Sequence, residues 1–409
     1  MIKTGQIIPT NPKPETGFLS FENTEIAFSS KSDSELKKAY WLFKLLGSPF
    51  IMLLGKYATL FALKVNLPIK GMVKKTIFKQ FCGGETIADC AKTTQVLDKY
   101  SVGTILDYSV EGKNDRETFE ATCEEILHTV ETASENKNIP FCVFKVTGMC
   151  RNELLEKISS SQALNEEELA EYSRLQDRVD RICAKGAATG TPIFIDAEET
   201  WLQQAIDDLV MEMMARYNKV EPVVYNTLQL YRHDRIAHLI EAYSQAEEND
   251  FIYAVKLVRG AYMEKERLRA EQKGYTSPIQ PNKEATDRDY NASISFCLDH
   301  LERVAFCAGT HNEESSLFLA DEMDRRGIDR KNPRVYFAQL YGMSDHISFN
   351  LSNAGFEVAK YVPYGPVKEV MPYLIRRAEE NSSVAGQTSR ELNLIMREMK
   401  RRKMERKGK

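Results

Sequence analysis

The chain has 409 residues, 43% of them hydrophobic and 28% charged, with a formal net charge of −4. That is an ordinary soluble composition, long enough to bury a large core, and the near-neutral balance excludes a global pull toward nucleic acid or an acidic membrane. The eight cysteines form no CxxC pair and the six histidines lack metal-ligand spacing, which excludes a disulfide framework and a zinc site and points to structural thiols in a reducing interior.

The opening "MIKTGQIIPTNPKPETGF" is polar and proline-containing, and is read as neither signal peptide nor transmembrane segment. Residues Ala39 to Pro68 are the most hydrophobic stretch. Lys44, Lys56 and the Gly47-Ser48-Pro49 break deny it the ~20 uninterrupted apolar residues of a membrane span. Helices packed on the main domain are expected there, with a membrane-contacting pair as the alternative. The resulting division is an N-terminal helical extension (1–100), a main domain (101–383) and a basic helical tail (384–409).

From Ser101 onward, short β-rich runs alternate with amphipathic helical stretches. Strands are expected within 102–108, 141–149, 192–199, 222–231, 251–262, 304–312, 334–343 and 357–366. They are nearly continuous in Val, Ile, Phe and Tyr, as parallel strands buried on both faces should be. Helices are expected at 116–135, 165–188, 199–217, 233–248, 285–302 and 314–327. Eight strands with intervening helices fit a distorted (βα)8 barrel of the α/β class better than an open doubly wound sheet. Neither GxGxxG nor GxxxxGK[ST] is present, so the Rossmann and P-loop readings lack their fingerprints. The tail carries eight Lys and Arg against two Glu from Arg397 onward. It is read as a solvated terminal helix, the alternative being contact with an anionic surface.

In an eight-stranded barrel the chemistry gathers at the C-terminal ends of the strands. Those ends carry Asp107, Lys145, Asp196, Gln229, Lys256 with Arg259, His311, Gln339 and Tyr361. Lys145, Asp196, Gln229 and Lys256 are expected to interrupt their strands before they finish, and Lys145 is expected to pair with Asp196. Further on, Val367, Val370, Met371 and Leu374 fall at i, i+3, i+4 and i+7, one face of a helix. One turn later that stripe reaches Arg377 and Ala378, with Arg376 at its shoulder. A guanidinium turned inward costs several kcal/mol unless an anion or hydrogen-bond partner meets it. A barrel-filling ion-pair network would account for some of these charges. Yet the cations outnumber the carboxylates counted here, and a ligand anion is the simpler account.

The blocks "FKVTGM" (144–149), "FIDAEE" (194–199), "VKLVRGAYMEKER" (255–267), "GTHNEES" (309–315), "QLYGMSDH" (339–346) and "KYVPYGPVKEVMPYLIRRAEEN" (360–381) resemble the proline dehydrogenase family of flavoenzymes. The resemblance covers Ser101 to Asn381. It implies a distorted barrel that holds FAD and oxidises L-proline to Δ1-pyrroline-5-carboxylate, by hydride transfer from C5 to the flavin N5. Electrons then pass to a membrane quinone. By the same resemblance Lys145, Arg376 and Arg377 clamp the substrate carboxylate, Tyr361 closes over the ring and Asp196 orients the cluster. Ala197, Gln229, Lys256, Arg259, Gly260, Ala261, Thr310 and His311 match flavin-contacting positions. Lys256 stands where many members have an arginine that faces the flavin. Asp107 and Glu380 match an inter-loop bond and a site-closing ion pair.

The family's setting implies a cytoplasmic or mitochondrial-matrix protein, peripheral to an inner membrane, with L-proline and a quinone as partners, no metal and no nucleic acid. Three other readings compete. A trans-4-hydroxy-L-proline dehydrogenase would share the chemistry, although Tyr361 leaves little room for a ring hydroxyl. Lys145 or Lys256 could be the Schiff-base lysine of a barrel aldolase. A non-catalytic membrane-surface protein would use the 39–68 stretch and the basic tail, but leaves the inward arginines unexplained.

Overall fold

A computed structural model of the chain describes residues 19–48, 50, 53–55, 57, 70–109, 116–383 and 387–407. Its strands are β1 (Val102–Tyr108), β2 (Phe141–Phe144), β3 (Ile193–Ile195), β4 (Val224–Gln229), β5 (Tyr253–Val258), β6 (Val304–Gly309), β7 (Val335–Leu340) and β8 (Val358–Tyr364). They close into a barrel in sequence order, with helices between successive strands. The expected (βα)8 architecture is the one observed. Every residue of β2, β3, β4 and β8 is buried, which explains why these runs show no polar alternation.

Two expectations about the strands are corrected. β2 stops at Phe144, where the chain enters a 3-10 turn over Val146–Gly148, and β3 stops at Ile195. Lys145 and Asp196 therefore do not interrupt strands; each is the first residue beyond one. Val146, Met149 and Cys150 are nonetheless fully buried, so the apolar run there reports burial and not ladder pairing. Gln229 closes β4, and Lys256 lies inside β5.

By packing, the chain sorts into two compact units, Lys113–Ala338 and the pair Phe18–Gly112 with Gln339–Lys409. In the first, Asn218 ends the helix Thr200–Tyr217 and ties it to two strands. Its amide donates to the carbonyls of Val224 (2.8 Å) and Ile252 (3.0 Å) and accepts from the N–H groups of Val223 and Val224. All four of its hydrogen-bonding positions are filled, as a buried amide requires. Asp207 on the same helix is 1% exposed and accepts from Gln203, Asn226 and Arg235 at 2.8–2.9 Å.

In the second unit, the helix Asp33–Leu46 opens with a capping box of Ser32 and Glu35. It buries Leu36, Ala39, Phe43 and Leu46 in a core shared with Phe81, Leu374, Leu394 and Ile395. Trp41 and Leu45 point outward, and Phe50, Leu53, Leu54 and Tyr57 are exposed. The rest of the hydrophobic stretch (49, 51–52, 56 and 58–68) lies outside the described residues. No helix among the described residues is long and apolar enough to cross a membrane.

The reading of the tail as a solvated helix is also corrected. The helix Gln387–Lys407 buries Leu394, Ile395 and Glu398, and its arginines pair within the unit. Arg390 and Arg397 meet Glu22, Arg401 meets Glu398 and Glu405, and Arg402 meets Asp33 at 3.0 Å and Glu398 at 2.6 Å. On β8, Lys360 is 1% exposed and donates to Asp345 (2.9 Å) and the Met343 carbonyl (2.5 Å). Burial acts to raise the Asp345 carboxyl, but Lys31 and Lys360 together hold it well below the usual carboxylate range.

Candidate active site

The first unit gathers the residues that follow β2 to β6. Lys145 is extended, at φ −108° and ψ 137°, and leads into the Val146–Gly148 turn. Asp196 and Ala197 are half-buried just beyond β3. The buried Lys256 ammonium of β5 reaches the Asp196 carboxylate. The same ammonium sits 5.1 Å from the centre of the Phe194 ring, a favourable cation–π position.

Gln229 joins two of the turns that follow the strands. Its amide N–H donates to the Glu198 carbonyl at 2.7 Å, and its side-chain oxygen accepts from the Ala261 N–H at 3.3 Å. Arg259, just past β5, is held from three sides: Nε donates to Asp287 (2.8 Å), Nη1 to Thr310 (2.6 Å) and Nη2 to Ser315 (2.9 Å). Its guanidinium also lies 4.4 Å from the centre of the Tyr290 ring. Thr310 is buried and His311 half-buried after β6. Gly260 has φ +134°, and a Cβ placed there would stand 2.6 Å from the Tyr231 ring. Only glycine allows the backbone to turn at that point.

One charged residue of this mouth is absent from the sequence-based set. Glu198 is 4% exposed, and its carboxylate accepts from the Thr147 N–H (3.0 Å) and hydroxyl (2.6 Å). Burial pushes its carboxyl up to about 7, against the opposing pull of Lys145 and the two Thr147 bonds. The expected excess of cations is thereby reduced in this unit, where Lys145 and Lys256 face Asp196 and Glu198. The available signal was the second acid of "DAEE". Both glutamates are buried, and nothing local says which of them meets Thr147. The seat of Arg259 was also missed, since Asp287, Tyr290 and Ser315 come from two later helices.

In the second unit, Tyr361, expected at a strand end, lies in the middle of β8 at 7% exposure, and its carbonyl accepts from the Tyr341 N–H at 2.8 Å. The helix Met371–Ser383 follows, and the stripe read from sequence is buried throughout: Val367, Val370, Met371 and Leu374. Arg377 continues it at 7% exposure with its guanidinium 5.2 Å from the centre of the Tyr373 ring, and Arg376 is half-buried beside it. Asp107 accepts from the Ser109 hydroxyl at 2.6 Å, and Gln339 from the Ser348 hydroxyl at 2.7 Å. The side chain of Glu380 lies outside the described residues. No group of acidic, histidine and cysteine side chains suited to a metal ion occurs among the described residues.

Chemically, the first unit offers a guanidinium, an ammonium, amide and hydroxyl donors, and a glycine turn, all at the ends of neighbouring strands. Such a donor set suits a polyanionic, heteroaromatic group. The second unit offers two adjacent guanidinium groups and a buried tyrosine, which suit a small carboxylate.

A family model described as "Proline dehydrogenase" matches residues 90–390. The chain is 35% identical over 352 residues to the carbapenem antibiotics biosynthesis protein CarD of Pectobacterium carotovorum subsp. carotovorum, covering 85% of this chain and 91% of that protein. It is 32% identical over 426 residues to the mitochondrial proline dehydrogenase 1 of Dictyostelium discoideum, covering 93% and 74%. It is 31% identical over 427 residues to the hydroxyproline dehydrogenase of Xenopus laevis, covering 94% and 91%. Among solved structures, proline utilization A from Bdellovibrio bacteriovorus, inactivated by N-propargylglycine, superposes with a TM-score of 0.69 at 18% identity. That likeness covers 88% of this chain but only 38% of the other, and shows the fold alone.

Proposed function

The chain belongs to the proline dehydrogenase family of oxidoreductases, and from that premise we propose that it oxidises L-proline to Δ1-pyrroline-5-carboxylate with FAD as its redox group and a quinone as acceptor. The observation that carries the reading is the buried Arg377 beside Arg376 on the helix after β8. Two adjacent guanidinium groups, one buried and one half-buried, present planar forks that a carboxylate matches.

The donor set after β3 to β6 fits FAD. Gln229, Arg259, Gly260, Ala261, Thr310 and His311 would hold it, with Ala197 and Lys256 alongside. When bound, FAD supplies the acceptor for the hydride that leaves ring C5 as the ring nitrogen forms the C=N bond. The protein's part is orientation and field. Lys145, Arg376 and Arg377 fix the carboxylate and Tyr361 limits the space around the ring, an orientation effect that can contribute up to ~7–11 kcal/mol. The substrate amine must be neutral before its lone pair can form that bond. Neighbouring cations lower its pKa, so water can take the proton without a dedicated base. Asp196 holds Lys256, and the positive charge on that lysine favours any negative charge that develops beside it.

The relative named hydroxyproline dehydrogenase, 31% identical along 94% of this chain, supports a second reading with trans-4-hydroxy-L-proline as substrate. The large, buried Tyr361 favours the unsubstituted ring. One experiment tests both readings. The purified protein is expected to be yellow, and anaerobic L-proline should bleach its flavin band far faster than trans-4-hydroxy-L-proline or D-proline. A colourless protein that takes up no FAD would end the functional assignment, and faster bleaching by the hydroxylated substrate would exchange the two readings.

A quinone acceptor places the chain at the cytoplasmic or matrix face of a membrane. The arginines of the tail pair with Glu22, Asp33 and Glu398, so the tail is a poor candidate for that contact. The exposed Trp41, Leu45, Phe50, Leu54 and Tyr57, interspersed with Lys37, Lys38 and Lys44, suit an anionic lipid surface better. Vesicles rich in an anionic phospholipid should sediment the wild type, and Phe50→Asp with Leu54→Asp should abolish this. Equal sedimentation of the two proteins would remove the patch from the reading.

A further inference from the structure

We infer that Glu198 is a positioning residue: it locks the Val146–Gly148 turn so that Lys145 presents its ammonium to the substrate carboxylate. The inference rests on the reading of Lys145 as a carboxylate ligand, and assigns a role to a residue outside that set.

The geometry is a clamp built from two directions. Glu198 is itself immobilised through its backbone. Its N–H donates to Gln203 at 2.8 Å, and its carbonyl accepts from Gln229 at 2.7 Å. Gln203 is in turn anchored on the buried Asp207 at 2.9 Å. The carboxylate then reaches the turn after β2 and accepts from both the N–H and the hydroxyl of Thr147, two residues beyond Lys145. The carboxylate accepts from each donor with a separate oxygen. A glutamine amide would keep only one of these bonds in its present direction, and the Thr147 hydroxyl would have to turn and accept from the NH2 group.

The charges around Glu198 set its pH behaviour. Lys145 attracts its charge, and Glu199, the next residue, repels it. Glu199 itself meets Lys265, and beyond these lie Asp207 under Gln203 and Glu266, which accepts from the Thr200 N–H. Burial outweighs the favourable contacts and brings the carboxyl up to about 7. A carboxyl whose folded pKa is raised binds its proton more tightly in the native state. Folding stability therefore falls as pH climbs from the ordinary carboxyl range through about 7. At pH 8 the ionised Glu198 is thus a cost to folding. A residue that costs stability and aims a ligand-binding lysine has the signature of function rather than scaffold.

The test uses the FAD-loaded full chain with Glu198→Gln and Thr147→Val. KM and kcat for L-proline are measured from pH 6 to 9. Binding of tetrahydrofuran-2-carboxylate, which has the carboxylate but no amine, is read from the perturbed flavin spectrum, and melting temperatures are taken at pH 8. In the wild type, both KM and the analogue's Kd should rise as pH falls below about 7. Both variants should raise these constants about tenfold at pH 8 with kcat nearly unchanged, as expected for lost uniform binding. Glu198→Gln should also flatten the pH dependence and melt no lower than the wild type. Unchanged analogue binding, or a wild-type pH profile in Glu198→Gln, would overturn the inference. So would a lower melting temperature for Glu198→Gln with normal analogue binding. A wild type that proline does not bleach would instead fail the functional reading itself, before any variant is compared.

Discussion

Arg376→Met and Arg377→Met are each expected to leave FAD bound and the fold intact while cutting the catalytic efficiency for proline roughly 30-fold to several-thousand-fold. The magnitude follows from losing a charge-assisted bond to a buried carboxylate, roughly 2–5 kcal/mol. Methionine keeps an unbranched apolar stem and has nearly the same helix propensity as arginine, so the helix Met371–Ser383 should survive, Arg377→Met losing only the guanidinium's place over the Tyr373 ring. Most of the loss should appear in KM, because the carboxylate is held alike in ground and transition states. Tetrahydrofuran-2-carboxylate should lose affinity in parallel, and L-prolinamide, which lacks the anion, should be nearly indifferent. Arg377→Lys should recover only part of the loss, since it keeps the charge but not the fork. Normal analogue binding together with a lower melting temperature would make both arginines structural.

Asp196→Asn should lower both stability and turnover. Lys256 has a side chain only 5% exposed, and Asp196 is 17% exposed, so the pair is mostly shielded from water. Removing one partner of a buried pair costs roughly 3–5 kcal/mol, and the partial exposure of Asp196 places the expected loss at the lower end. Replacing both, as Asp196→Asn with Lys256→Met, should restore much of the stability because no buried ammonium then faces a missing carboxylate. Turnover should not recover, because the cation proposed beside the flavin is gone. Denaturant unfolding of the two single variants and the double variant measures the coupling. Additive losses in that cycle would show that the pair contributes nothing as a pair.

The eight strands, their alternation with helices and the inward stripe that ends on Arg377 were legible in the order of the amino acids. These follow from local rules: apolar runs for strands buried on both faces, and a 3.6-residue period for helices. Chain order also placed Lys145, Asp196, Gln229, Arg259 and His311 at or just past strand ends, because the residue after a strand lies at the barrel mouth. Where local pattern stopped short, contacts between distant segments were responsible. Val146, Met149 and Cys150 are as apolar as a strand yet lie in a turn, since hydrophobicity records burial and cannot record which backbone is paired. Lys256 reaches Asp196 from 60 residues away, and Thr147 selects Glu198 over Glu199 from 51 residues away. No window of sequence contains both partners of either contact. The basic tail shows the same limit. Its charge run describes a solvated helix until Glu22 and Asp33, more than 360 residues earlier, are folded against it. Only tertiary structure decides whether a charge faces water or a partner.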